Sequence, residues 1–336
     1  MPDFPKSIFD FTKRFSDERK CFEYLQQIRF PDGVHDIRDG KTKPSSFIST
    51  RNLWVFPDGY QQSITVGTVM EQTHMELSIW FLGAYLMATL TPGVSARQFA
   101  RQAGLHYETA YMLLMKLRAG LINPFRTKLK GVIEIDESYI GGKVEGKHGR
   151  GAESKAVVLG AVEVIDTSKK KIGGRLRLRK VSSPSGENIL KFIEDNIEKG
   201  SVLVTDGWKG YNAVTRHGYE RRIVEGEDTI EVAAQLVHIH RAFSNLKTWI
   251  NGTHHGVSRK HLQAYLNEFV FRYNRRRVPF EAFNAILGIG SIREAPTYRG
   301  LYKAGEIYGW IHPNPKRPRS RSTVNPSDAS GNAKIH

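Results

Sequence analysis

Two apolar, β-branched runs that each close on an aspartate constrain this chain more than any other feature: GVIEID, ending at Asp136, and SVLVTD, ending at Asp206. Runs of this length, rich in Val and Ile and bounded by turn residues, have the pattern of strands buried on both faces. Between them lie two more strand patterns, AVVLGAVEVID (156–166) and GRLRLRKVS (174–182). A helix is expected next, opened by Ser182-Ser183-Pro184 and stopped at Gly200. A fifth strand is expected around Arg222-Ile223-Val224, then a long helix from about Ala234 to Ile250.

Three strands, a helix, a strand and further α/β units form the element order of a ribonuclease-H-like fold, a mixed sheet flanked by helices. In that order the first and fourth strands are neighbours, so Asp136 and Asp206 are expected to converge. Paired carboxylates suit Mg²⁺, which prefers oxygen ligands and keeps some of its water. Two such ions can activate an attacking hydroxyl and stabilise the leaving oxygen of an in-line phosphoryl displacement. Either acid alone could simply end a strand; the pair in this order carries the chemistry.

Upstream, residues 1–65 are turn-rich, and residues 66–128 repeat apolar positions at helical spacing. The stretch from Leu77 to Leu90 is too short to cross a bilayer and reads as a core helix. Ser95 is placed to cap a short helix (96–103), Gly104 supplies a tight turn, and a second helix runs from Tyr107 to about Arg118. This is a helix-turn-helix pattern, whose second helix would enter a major groove. Arg97, Tyr107, Thr109 and Lys116 are its candidate DNA contacts. The charge agrees: 50 Lys+Arg against 34 Asp+Glu, a net +16, point to a polyanionic partner. The single cysteine, Cys21, excludes an internal disulfide and a Cys-based zinc site. No secretory leader pattern opens the sequence, so a cytoplasmic protein without membrane association is expected.

Longer blocks carry a family resemblance. Glu134-Ile135-Asp136-Glu137-Ser138-Tyr139-Ile140-Gly141-Gly142-Lys143 resembles the first catalytic strand of bacterial insertion-sequence DDE transposases of family fifteen-ninety-five, the ISXO-like group. Thr205-Asp206-Gly207-Trp208-Lys209-Gly210-Tyr211 resembles their second acidic motif. The run from Ser244-Asn245-Leu246-Lys247 to Gly252-Thr253-His254-His255-Gly256 resembles the third block, and Tyr265 to Arg276 the end of the domain. The resemblance covers about 20–290. It implies cleavage at element ends and 3′-OH transfer into target DNA, with double-stranded DNA as partner, a homodimer on the DNA, and Mg²⁺ or Mn²⁺ as cofactor.

The family pattern further implies a third metal ligand and a downstream Lys on the helix after the fifth strand. Lys247 matches the Lys, and seven positions earlier stands His240, where many relatives carry Glu. Residues seven apart share a helical face, and imidazole can ligate a divalent ion, Mn²⁺ better than Mg²⁺. Glu268 is the alternative third ligand, from a later helix. Arg272, Arg275 and Arg276, interleaved with Phe271 and Tyr273, read as a phosphate-tracking strip. His254 and His255 read as a basic loop suited to DNA backbone contact or structural hydrogen bonding rather than to zinc.

Relatives usually carry an N-terminal zinc ribbon, but here His35, Arg38, Val55 and Asp58 fall at the ligand positions, so no zinc is expected. The expected division is a ribbon-like region (1–65), a helical DNA-binding region (66–128), the catalytic domain (129–290) and a C-terminal extension (291–336) whose tail from His312 is basic and disordered. Two rivals remain: a retired transposase that binds DNA without cutting, and a structure-specific nuclease of the same fold.

Overall fold

The structure, a computed structural model, describes residues 5, 7–121, 126–141, 155–224, 235–278 and 282–287. The expected basic tail and the Gly142-Lys143 end of the first motif lie outside these residues. The described chain opens with α1 (Ile8–Arg14) and α2 (Glu18–Arg29), whose caps Ser7 and Asp17 accept backbone N–H bonds from Asp10 and Lys20. A small antiparallel sheet follows, ordered β1 (Ser46–Ile48), β2 (Leu53–Val55), β3 (Gln61–Ser63).

The helical region comprises α3 (Leu77–Thr89), α4 (Ala96–Ala103) and α5 (Tyr107–Gly120). α3 is apolar all round, the signature of a helix enclosed by others. Ser95 caps α4 through Gln98 N at 3.2 Å, and Gly104 turns the chain at φ 64°, as its sequence position predicts. No helix among the described residues is long and apolar enough to cross a membrane.

The central sheet is built from β4 (Val132–Ile140), β5 (Ala156–Asp166), β6 (Lys171–Val181), β7 (Val202–Thr205) and β8 (Glu220–Ile223). Its order is β6-β5-β4-β7-β8, with β4, β5 and β6 antiparallel and β7 and β8 parallel to β4. This mixed five-stranded sheet flanked by helices fits the ribonuclease-H-like arrangement that the element order predicts. α6 (Gly186–Asn196) covers one face, against Ile133, Ile135 and Leu203. α7 (Val237–His254) and α8 (Leu262–Asn274) cover the other, against Val158, Val162 and Leu176.

Three details depart from the sequence reading. α6 is capped by Ser185, whose hydroxyl accepts from Asn188 N, and it ends at Asn196 because Ile197 pairs with Leu129 in a β-bridge. β4 runs on to Ile140, four residues past Asp136, because β5 pairs with it throughout. The last described helix, α9 (Ala282–Ile286), falls before the expected boundary at 290 yet packs into the helical region. Phe283 lies 5.5 Å from the Phe81 ring and 5.8 Å from Phe15, and Tyr24 donates to Asn284 at 2.7 Å.

Candidate active site

Alternation along β4 sends Ile133 and Ile135 toward α6 and leaves Glu134 and Asp136 on the α7 face. Val132, Ile133 and Glu134 pair with Val202, Leu203 and Val204 of β7. Asp136 lies two residues past the last of these pairs and Asp206 directly after β7, and both act electrostatically on Tyr211. Gly160 of β5 pairs with Asp136, and a side chain there would meet Phe243 at 2.7 Å and Ile239 at 2.8 Å. The missing Cβ lets α7 lie directly on the sheet beside the acid.

That placement brings His240 to Asp136: Nε2 lies 3.0 Å from Oδ2, with the carboxylate accepting. α7 is itself anchored by Glu134, whose buried carboxylate accepts the backbone N–H groups of His238 (2.8 Å) and Ile239 (2.9 Å). A carboxylate at a helix N-terminus satisfies otherwise unpaired donors and complements the helix dipole. Burial nonetheless pushes the Glu134 pKa up, with those N–H bonds and the nearby histidines opposing it. Sequence reasoning quoted Glu134 without a role; its place two residues before Asp136, on the same face, was the available signal.

Asp206 leaves β7 into a tight turn, its Oδ1 accepting from Trp208 N at 3.1 Å. Arg221 of β8 clamps that turn, donating to the carbonyls of Asp206 (2.9 Å) and Trp208 (3.0 Å) and to the hydroxyl of Thr205 (3.0 Å). Tyr211, on the 3₁₀ segment Lys209–His217, buries its ring in the α6 core and donates to Glu137 Oε2 at 3.2 Å. Its phenol pKa is raised well above the ordinary value, first by burial and then by Glu137, Asp136 and Asp206. Three carboxylates thus act on one hydroxyl. Tyr211, Glu137 and Arg221 had no assigned role in the sequence reading.

Among the described residues no three His, Cys, Asp or Glu side chains converge as a ready metal site. The donor set still fits a divalent cation. Carboxylate oxygen and neutral imidazole are both donor types that such ions accept, and His240 and Asp136 already meet. Lys247, two turns along α7, is exposed.

Glu268 does not compete for this site. It is fully buried in α8 and paired with the equally buried Arg118 of α5 at 2.7 Å, an ion pair that ties the helical region to the helix covering the central sheet. The candidate DNA contacts divide. Arg97, in the first turn of α4, and Tyr107 and Thr109, at the start of α5, are exposed. Lys116 is half-buried above the Trp80 ring, and burial pulls its pKa down. Arg272 turns inward, donating to the Leu90 and Thr91 carbonyls and packing on Trp249, so it joins the two regions instead of lining a DNA path. Arg275 and Arg276 stack on Phe271 (4.0 Å) and Tyr273 (4.2 Å). His254 is not in a basic loop but ends α7, edge-on to Trp249 and Tyr265, with its pKa lowered to about 3, chiefly by burial.

Near the N-terminus, Arg38 and Asp58, two of the positions aligned with zinc ligands, meet at 2.6 Å. Arg38 also grips the fully buried Asp36 with Nε (2.9 Å) and Nη2 (2.6 Å) and lies 4.0 Å over the Tyr60 ring. Lys43 reaches Asp36 at 2.8 Å and Asp39 at 2.7 Å. His35 instead contacts Thr42, and Val55 lies within β2.

Over residues 128–274 the sequence matches the family model of the ISXO2-like transposase domain. This stretch belongs to that family. The match begins just before β4 and ends with α8, so the transposase domain contains Asp136, Asp206, His240 and Lys247. No curated protein matches the sequence. Among solved structures, one chain of the cryoEM structure of a simian T-cell lymphotropic virus intasome in complex with PP2A regulatory subunit B56 gamma aligns at 12% identity and a TM-score of 0.27. That alignment covers 55% of this chain and 66% of the other, and at such a score it decides nothing about the transposase domain.

Proposed function

We propose that this chain is the DNA transposase of an insertion sequence, cutting at the element's ends and joining the freed 3′-OH to target DNA. The observation that supports it best is the Asp136–His240 contact at 3.0 Å inside a transposase-family domain, with Asp206 following the strand that pairs in parallel with that of Asp136. Asp136, Asp206 and His240 would hold Mg²⁺ or Mn²⁺. Such ions, when bound, supply activation of the attacking oxygen and charge stabilisation at the leaving one. His240 must give up its Nε2 proton to act as a ligand, so ligation is coupled to pH. Glu134 fixes the start of α7 and with it the reach of His240. Lys247 meets a phosphate as a point charge. Arg97, Tyr107 and Thr109 face the groove of double-stranded DNA, and Arg275 and Arg276 meet its backbone. Two element ends must be held together, so a homodimer on DNA is the working assembly.

A retired, DNA-binding version of the same protein is favoured by one observation: an imidazole stands where many relatives carry a third carboxylate, hydrogen-bonded to Asp136. Cleavage and joining of a labelled DNA bearing the element's ends, in Mg²⁺ or Mn²⁺, separates the readings. Joining by wild type and its loss in Asp206→Asn is expected. Tight binding with no cut in either metal assigns the retired role, and cutting without joining assigns a nuclease.

A further inference from the structure

A second cationic feature lies away from the acids. The β5–β6 hairpin, the first turns of α7 and the end of α8 enclose a cavity of about 310 Å³. Lys170, Lys171, Arg241 and Arg276 line it, and no carboxylate is among its lining residues. Lys170, Lys171 and Arg241 are exposed, and none of the three forms an ion pair among the described residues. Arg276 is held in place, donating to the Tyr273 and Gly173 carbonyls.

The floor is built for close approach. A Cβ on Gly173 would stand 2.8 Å from the Tyr273 hydroxyl, so only glycine leaves that hydroxyl at the strand. His238, Arg241 and Asn245 follow one another at three- and four-residue steps and put one stripe of α7 on the cavity. His240, on another stripe of the same helix, faces Asp136. One helix therefore serves both places.

The register fixes their separation. Asp136 pairs with Gly160, which pairs with Leu178 of β6, while Gly173 is level with Val164 and Val132. Two strand spacings across and four residues along the strand give roughly 16 Å. At about 3.4 Å of rise per nucleotide, that is about five nucleotides of a DNA strand.

We propose that this cavity is a backbone-phosphate site for DNA, gripping the strand about five nucleotides from the phosphodiester held at the acids. The proposal rests on the DNA-handling reading above and adds to it a second point of contact. Such an anchor fixes register without reading sequence.

The test is equilibrium binding of a fluorescein-labelled DNA duplex to the full chain without divalent metal, between about 50 and 200 mM salt. For the triple variant Lys170→Ala, Lys171→Ala, Arg241→Ala, the slope of log affinity against log salt is expected to shrink by about 2 to 3, near 0.9 per lost phosphate contact. A control triple variant on other elements, Lys191→Ala, Lys199→Ala, Arg216→Ala, should keep the wild-type slope. Gly173→Ala, which fills the floor without altering charge, should weaken binding several-fold. Equal slopes for wild type and the pocket variant, or equal losses in both triple variants, overturn the site. So does a pocket variant that loses binding of 5′-AMP but keeps the wild-type DNA slope, because the site would then serve a free nucleotide. Wild type that joins DNA while the pocket variant keeps its slope removes only this proposal. Wild type that binds no duplex removes the transposase reading with it.

Discussion

Asp36 and Asp136 are both aspartates gathered with other acids, yet their surroundings oppose each other. Around Asp36 the protein supplies the countercharge itself: Arg38 and Lys43 stand among Asp36, Asp39 and Asp58, and the Arg38 fork links one turn to the next. Around Asp136 it does not: the direct partner is one imidazole, and Asp136, Glu137 and Asp206 all act on the same Tyr211 hydroxyl. A guanidinium fixed by several hydrogen bonds can tie two turns as a structural metal would, but it offers no open position. Under the proposed function, the acids around Asp136 are the ones that would take a cation from solution. The difference separates carboxylates neutralised within the fold from those that the proposed function would use for chemistry.

Substitutions should break the two clusters in opposite ways. The largest effect is expected from Asp136→Asn or Asp206→Asn, which should lower metal-dependent joining by about 10³-fold or more. Thermal melting should show an unchanged or raised midpoint, because like-charge repulsion is relieved; a strongly lowered midpoint would mean that these acids hold the fold. Asp36→Asn should do the reverse. Asp36 is fully buried and its pKa is held below the usual range, first by the Arg38 hydrogen bonds. Its loss should cost about 2 to 3 kcal/mol in urea unfolding, less than for a fully buried pair because both cations are partly in water. Joining measured well below the melting temperature should persist.

Acid sharpens the contrast at a third place. His254 titrates near 3 in the folded chain and near its ordinary 6.5 when unfolded, so the unfolded state binds the proton first. Its stabilising contribution is complete above about pH 6.5 and is lost as pH falls toward 3, with a slope approaching about 1.4 kcal/mol per pH unit. Melting curves across that window should be flatter for His254→Phe; parallel curves would contradict the buried neutral ring. The smallest effect concerns metal. Saturating Mn²⁺ should raise the melting midpoint of wild type by a few degrees through mass action and leave Asp136→Asn unmoved. A chelator should not loosen the Asp36 cluster, and a chelator-induced loss of stability in Asp136→Asn would show otherwise.

The sheet was legible because its strands are apolar runs with clear stops, and because the order of three strands, a helix and a strand admits few arrangements. His240 was singled out through the family resemblance, seven residues before Lys247, and its contact with Asp136 appears only in the structure. What periodicity cannot give is the partner of a buried polar group. Glu268 reads equally well as a free carboxylate or as half of an ion pair until Arg118, far away in sequence, is brought to it. Arg272 sits among arginines that face solvent, and only the arrival of the Leu90 and Thr91 carbonyls turns it inward. Glu134 was hidden differently. An acid inside an apolar strand looks like an exception until a helix start arrives to receive it.

The position of α9 has a consequence for how the protein is made. Phe283 completes an aromatic cluster with Phe11, Phe15, Tyr24 and Phe81, residues that leave the ribosome roughly 200 to 270 positions earlier. Domains generally fold in the order of their synthesis. Here the first helices must wait with that cluster unfinished while the whole sheet is translated and assembled between them and their last partner. The helices α1 and α2 are therefore expected to close late although they precede the sheet, and a nascent chain stalled before Phe283 is expected to carry the sheet beside an open apolar core.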